Sequence, residues 1–508
     1  MVRYKEAMKL NCTELVSALR DIYDLRSARA VLEWDQSTYM PPKGNDARAR
    51  QIALLSELAH QKLCAEKLGE LLLYCSSGVD ISDDDQALVR EARRDRDRAV
   101  KVPSSLVREI SETCGQAHAI WIEARKKNNF KLYAPVLKKV VELKKQEAHA
   151  IGFGQGVPYD ALLDGFEPGA TVKMLDPIIA ETREITTRVV EATSNSRRKP
   201  KIRILRRKYP LKQQEQFGFA VLLKMGYDLD AGRLDSAVHP FSTSFDVEDS
   251  RITTRYDERY FNDAIFSTIH EGGHALYEQG FQKKYSGTPL AEAISMGIHE
   301  SQSRLWENQV GRSLQLWKYF FPKARKLFPQ ALSGVKLEDF YFAINAVQPS
   351  LIRVDADEVT YNLHIIIRYE LEQALFSGEI QVQDLPKLWN DKMKAYLGIR
   401  PRKDSEGVLQ DIHWSFGGFG YFPSYLLGNL YAAQWSAFMK KDLKKFDQLL
   451  TQGNLVPIKK WLNENIHQHG RRYNAQQLIM KITGEALNPE YFGNYLRDKF
   501  QPLYDVKW

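Results

Sequence analysis

Apolar residues recur at intervals of three and four along most of this chain, and that spacing limits it to a mainly helical architecture. In "CTELVSALRDIYDLRSARAVLEWDQSTY" (Cys12 to Tyr39), Leu15, Leu19, Ile22, Tyr23, Leu25 and Ala28 fall on one helical stripe. "MPPKGNDAR" interrupts the pattern, because paired prolines cannot continue a helix. A second helical run, "ARARQIALLSELAHQKLCAEKLGELLLY", follows. "SDDDQALVREARRDRDRAV" opens on Ser82 and acids suited to a helix N-terminus, then interleaves charges as an exposed helix does. "PVLKKVVELKKQEAHAIGF" and "LDPIIAETREITTRVVEATSN" read in the same way. One stretch departs from this period. In "FDVEDSRITTRYDERYF" (Phe245 to Phe261), Ile252, Thr254 and Tyr256 alternate with Arg251, Thr253 and Arg255, which is a strand signal. No repeat and no low-complexity linker divides the chain. The expectation is one large, mainly α unit over 1–508 with a small β-sheet, its motif-bearing core lying within 235–430.

Several function classes drop out on composition. Hydrophobic residues make up 44% and charged residues 27% of the 508, as in ordinary globular proteins. No window approaches the run of about 18 apolar residues that a membrane helix needs. The start lacks the apolar stretch of a secretory signal. The four cysteines, Cys12, Cys64, Cys75 and Cys114, form no CxxC pair and read as reduced thiols of a cytoplasmic protein. The net charge of +8 is a local feature: "RRKPKIRILRRKYPLK" (Arg197 to Lys212) holds nine Lys and Arg, leaving −1 elsewhere. With only Tyr209 to stack a base, this segment reads as a solvated surface loop and not a nucleic-acid site.

Immediately after the strand signal comes "FSTIHEGGHALYEQGF" (Phe266 to Phe281). Residues four apart share a helix face, so His270 and His274 can aim two imidazoles at one ion. Glu271 stands beside them. This is the HExxH pattern, whose glutamate serves as general base. Phe261, Ile265, Ile269 and Leu276 supply the apolar stripe of a buried helix. Gly272 and Gly273 cost about 1 kcal/mol each against alanine, which suggests that a substrate or another element comes close there.

A catalytic zinc takes three protein ligands. The third is not at the HExxHxxGxxH spacing. "AEAISMGIHESQSRLWENQVG" (Ala291 to Gly311) offers Glu292, Glu300 and Glu307 on a second helical pattern, and His299 besides. Glu278 lies one turn past His274, too far along the same helix. Spacing ranks Glu300 modestly above Glu307 and leaves the choice open.

Six short stretches then occur in order. They are "HPF" (His239 to Phe241), "DSRIT" (Asp249 to Thr253), "HEGGH" (His270 to His274), "HESQ" (His299 to Gln302), "IRVDAD" (Ile352 to Asp357) and "GVLQDIHW" (Gly407 to Trp414). With "EWDQSTYMPP", "YDALLDGFEPG", "GFGYFPSYLLGNL" and the C-terminal "RRYNAQQLIMKITGEALNPEYFGNYL", they make the chain resemble the carboxypeptidase Taq family of zinc metallocarboxypeptidases over nearly its full length. The resemblance implies that His270, His274 and Glu300 hold one Zn2+ per chain and that Glu271 is the catalytic acid/base. The pattern does not separate zinc from cobalt. The resemblance also implies a two-lobed helical fold with a deep groove and a small sheet beside the zinc, commonly a homodimer. The implied activity is removal of single C-terminal residues from peptides, with proline disfavoured.

Chemistry names further candidates. The tetrahedral intermediate needs oxyanion donors, for which His413, Tyr421 and Tyr425 are available. An exopeptidase must recognise a free carboxylate, and a guanidinium does so bidentately. Arg353 is the first choice and Arg251 the second, against plain salt bridges to Asp355, Asp357 or Asp249. The strand "RITTRY" could pair with substrate backbone, with His239 lining the groove. A zinc endopeptidase, a dipeptidyl carboxypeptidase, or a non-catalytic helical binding protein on the same scaffold are the other readings.

Overall fold

In the computed structural model, the described residues are 2–77 and 82–508. The chain is mainly helical, and the helical spacing read from sequence matches elements along its length. The first helix runs Val2–Thr38. Its Leu15, Leu19 and Ile22 are buried, Tyr23 and Leu25 are half-buried, and Ala28 faces solvent. Pro41 and Pro42 follow, and the chain turns. The second helical run is split: Asn45–Cys64 and Glu66–Ser76 are separate helices, because Ala65 takes an extended ψ of 139°. The bend lets Leu68, Leu71, Leu72 and Cys75 face inward together.

That packing overturns one expectation. Cys12 and Cys75 are paired as a disulfide with their Cα atoms 5.7 Å apart, while Cys64 and Cys114 are free. A separation of 63 residues carries no pairing signal, and only the packing of helix Glu66–Ser76 on the first helix brings the two together.

The basic segment lies at the surface as expected, with all nine of its Lys and Arg exposed, but it is anchored to the body. Ile204, Leu205 and Tyr209 are buried under it. Arg207 donates to the carbonyls of Ala331 and Ser333, and Arg198 to that of Pro502. Lys201 and Lys208 pair with Asp339 and Glu258. The buried Ile204, Leu205 and Tyr209 fasten the segment, and these surface contacts add to them.

The sheet has three strands: β1 Leu234–Ser236, β2 Ser242–Asp246 and β3 Asp249–Thr254, in the order β1-β3-β2. β1 lies parallel to β3 and β2 antiparallel, so Leu234 and Ser242 flank Ile252. The strand read from sequence is thus the central one. Both its edges are taken, so β3 cannot add a substrate strand, and Arg255 and Tyr256 lie past its end. The first helix lies against this sheet: Ser27 Oγ donates to the Phe245 carbonyl, and the Tyr39 hydroxyl to Asp235. On its other side, Thr254 Oγ1 donates to the carbonyl of Ala264 in the helix Phe261–Glu278. Among the described residues no helix is long and apolar enough to cross a membrane.

Candidate metal centre and active site

The histidine helix spans Phe261–Glu278, and its stripe of Phe261, Ile265, Ile269 and Leu276 is buried. The two glycines explain how the helix is held. A Cβ on Gly272 would stand 2.6 Å from Leu222 of the helix Leu211–Met225. A Cβ on Gly273 would stand 2.7 Å from the Cα of Ser303 and 2.8 Å from the carbonyl of Gln302. Neighbouring helices, not substrate, need the space on both sides. Ser303 belongs to the helix Met296–Arg304, which carries Glu300. On its far side, a Cβ on Gly428 of the helix Pro423–Asp442 would stand 2.6 Å from Glu300 Cγ. The glutamate helix is therefore wedged between two glycine faces.

This packing brings three side chains together. Glu300 Oε2 lies 3.7 Å from His270 Nε2 and 3.5 Å from His274 Nε2, and one potential ligand atom from each of the three residues lies within 4.8 Å of the others. Donors bound at 2.0–2.2 Å around a tetrahedral ion sit about 3.3–3.6 Å apart, so the spacing suits a small divalent cation. Each imidazole is oriented from behind. His274 Nδ1 donates to the carbonyl of His299 at 3.0 Å, and His270 Nδ1 bonds Glu307 at 2.9 Å. Both bonds leave Nε2 turned towards Glu300, where its lone pair would serve a metal ion.

The other candidates for third ligand go elsewhere. Glu307 stands behind His270, in the π-helix Leu305–Gly311 that continues the glutamate helix; such turns recur at functional sites. Glu278 bonds His299, whose ring stacks on His274 at 4.2 Å. Glu292 pairs with Arg471.

The electrostatics separate the carboxylates. Burial alone would raise the pKa of Glu300, but Arg304 and the two histidines hold it well below the usual carboxylate range. Burial pushes Glu271 up to about 7, where a general base works well at neutral pH. Burial, with His299 alongside, pushes His274 down to about 3, so it is neutral. A cleft of about 200 Å3 opens beside His270 and Glu271, walled by Arg304, Glu307, Val354 and Tyr361.

Residues 14–500 match the family described as carboxypeptidase Taq (M32) metallopeptidase. The chain belongs to that family. It is 44% identical over 501 residues to thermostable carboxypeptidase 1 of Thermus thermophilus, covering 96% of this chain and 98% of that one. It is 44% identical over 493 residues to carboxypeptidase 1 of Bacillus subtilis, covering 97% and 98%. Among solved structures, an M32 carboxypeptidase from Deinococcus radiodurans R1 superimposes with a TM-score of 0.96 at 39% identity, covering 98% of this chain and 100% of that one. Trypanosoma cruzi metallocarboxypeptidase 1 gives 0.93 at 34% identity, covering 97% and 100%.

In this metallocarboxypeptidase the remaining signature stretches are cross-bonded. Phe241 N donates to Thr253 Oγ1, tying "HPF" to "DSRIT". Arg353 N donates to Gln410 Oε1, tying "IRVDAD" to "GVLQDIHW". Arg353 is only 6% exposed. Its Nε and Nη2 donate to Asp411 Oδ1 at 3.1 and 2.8 Å, and Nη1 to the Tyr361 hydroxyl at 2.9 Å. Its salt-bridge partner is Asp411, not Asp355 or Asp357; Asp357 instead accepts from Val359, Thr360 and Gln348. Arg368 bonds the second Asp411 oxygen at 2.7 Å. Two guanidiniums therefore share one carboxylate, leaving a positive surplus under the rings of Tyr425 and Phe422.

Arg251 is bidentate to Asp249, at 2.7 Å through both nitrogens, and its guanidinium lies over Trp34 and Phe245. The plain salt bridge weighed for it from sequence is present. His239 is exposed on the β1–β2 connection. His413 packs against Tyr421 and Phe422, and burial pushes its pKa down to about 4. Tyr421 and Tyr425 are half-buried neighbours, ring centroids 5.3 Å apart.

Sequence reasoning overlooked Arg304, Tyr361 and Asp411. Asp411 stands inside the "QDIHW" signature and could have been picked as the partner of a buried arginine. Nothing in the spacing marks Tyr361, which reads as one more apolar helix position.

Proposed function

We propose that this M32 enzyme is a zinc-dependent carboxypeptidase that releases single C-terminal residues from peptides with broad specificity, proline disfavoured. His270, His274 and Glu300 would hold the ion, with Co2+ a workable substitute. The observation that supports this most directly is the convergence of two Nε2 atoms and one carboxylate oxygen, with Glu271 beside them in the same cleft.

When bound, the metal acts as a Lewis acid on the scissile carbonyl and raises the acidity of water. Glu271 takes the proton of the attacking water and delivers it to the leaving amine. Burial, which raises its pKa, helps it hold the proton between the two transfers. Arg353 anchors the substrate carboxylate. The surplus charge of the Arg353–Arg368–Asp411 cluster is what a carboxylate would neutralise, and Tyr361 connects the cluster to Arg304 beside the metal ligands. Tyr421 or Tyr425 donates a hydroxyl hydrogen bond to the developing oxyanion, with neutral His413 beside them as a further candidate donor. Arg251, salt-bridged to Asp249 as Arg353 is to Asp411, is the second candidate anchor, and His239 lines the approach. A homodimer completes this reading, on the family resemblance.

Digestion of one decapeptide, alongside metal analysis of the purified protein, tests the reading. A ladder of single-residue losses with one zinc per chain is expected. Internal fragments or dipeptide release would replace it with an endopeptidase or dipeptidyl carboxypeptidase. A protein with neither metal nor turnover would be a binding scaffold.

A further inference from the structure

The two carboxylates nearest the histidines are joined by one guanidinium. Arg304 lies one turn past Glu300 on the same helix and is itself largely buried. Its Nε donates to Glu300 Oε1 at 2.6 Å, and its Nη1 to Glu307 Oε2 at 3.2 Å. Tyr361 covers the guanidinium, with the ring centroid 4.6 Å from Cζ. Arg312 closes the far end by donating to Glu307 Oε1 at 3.0 Å. The charges alternate along this line: Glu300, Arg304, Glu307, Arg312.

The two oxygens of Glu300 therefore have different work. Oε1 is taken by Arg304, and Oε2 faces the imidazoles at 3.5 and 3.7 Å. A free carboxylate could turn and offer both oxygens to an ion. One oxygen tied by a charge-assisted hydrogen bond inside a buried site cannot do so without breaking that bond. The same guanidinium touches Glu307, which holds His270 by Nδ1. Two of the three ligand arms are thus coupled through one side chain.

We propose that Arg304 is a positioning residue that holds Glu300 to single-oxygen coordination and couples it to the Glu307–His270 arm, so that the ligand set is assembled before the ion arrives and one coordination position stays open. The inference rests on the metal-site reading above. Lysine keeps the charge of Arg304, but its ammonium is a point donor on a flexible stem and cannot fix two carboxylates in one plane.

The test compares wild type, Arg304→Lys and Arg304→Met. Zinc affinity is read by competition with a chromogenic chelator, coordination number by X-ray absorption of the zinc-loaded proteins, and folding by circular dichroism of the metal-free forms. Arg304→Met is expected to bind zinc about 10–100-fold more weakly, as losses of outer-shell partners typically do, and to show an added oxygen neighbour at the metal. Arg304→Lys is expected to keep the fold and recover only part of the affinity. Folded variants that both match wild type in affinity and coordination number overturn the inference. If Arg304→Met fails to fold, Arg304→Lys decides alone: wild-type affinity and coordination there overturn it equally. A wild type that binds no zinc with defined stoichiometry defeats the metal-site reading itself, which is a separate result.

Discussion

Gly273 of the histidine helix meets Ser303 of the glutamate helix backbone to backbone, so closely that a Cβ would lie 2.7 Å from the Ser303 Cα. The separation between imidazoles and Glu300 depends on that contact. Gly273→Ala must force the helices apart, since the obstacle is main chain and cannot swing away. Overpacking of this kind costs about 1–3 kcal/mol, and the ligand atoms spread with it. We expect a lower melting temperature and faster zinc loss to chelator. An alanine variant that melts and holds zinc like wild type would remove the glycine from the account of the site.

Glu271 sits in the cleft without reaching the ligand triangle, so its removal separates binding from chemistry. Glu271→Gln is expected to retain stoichiometric zinc and lose turnover by about 10²–10⁴-fold, the range for a lost general base. Undiminished turnover with metal bound would assign the proton transfer to another group.

Arg353 is buried against Asp411 and yet carries the charge that could receive a carboxylate. Replacing it with alanine is expected to raise KM for free-acid peptides and to erase their advantage over the amidated forms. Paired assays of one peptide with each C-terminus read this directly. If the free-acid preference survives, the anchor is elsewhere, and Arg251 is the next to test.

Glu167 caps the start of the glutamate helix through Gly297 N, and burial pushes its pKa up to about 7 from about 4.5. The folded protein then binds this proton more tightly than the unfolded chain. The resulting stability is fully present below about pH 4.5 and is lost as the pH rises through about 7, on the order of 3 kcal/mol. Glu167→Gln cannot titrate. Urea unfolding at pH 5 and pH 8 should show wild type losing stability relative to the variant across that interval. Parallel pH profiles would mean that Glu167 is ionised throughout.

The helical spacing was enough to read the fold class, because a buried stripe repeats every turn wherever a helix packs on a core. The HExxH helix was legible for the same reason: its two histidines and its apolar stripe are local facts of one helix. The disulfide, the centre of the sheet and the partner of Arg353 were not legible. Cys12 and Cys75 are 63 residues apart, and Arg353 and Asp411 are 58 apart; such pairs are joined by packing, to which a periodic pattern is blind. Gly272 and Gly273 stood out as costly in a helix, but only the structure shows that Leu222 and Ser303 occupy the space.

By itself, then, the sequence determined the elements and the chemistry each one carries: a helix bearing two imidazoles and a carboxylate, a neighbouring helix rich in acids, and signature stretches that identify a metallocarboxypeptidase family. The tertiary structure decided which acid faces the imidazoles and what stands behind each ligand. Glu300 and Glu307 are seven positions apart on one continuous helical path, and local pattern scarcely separates them. The distinction comes from where glycine lets the main chains touch and where Arg304 divides its hydrogen bonds, because a ligand triangle a few ångströms wide is set by contacts between elements and not within them.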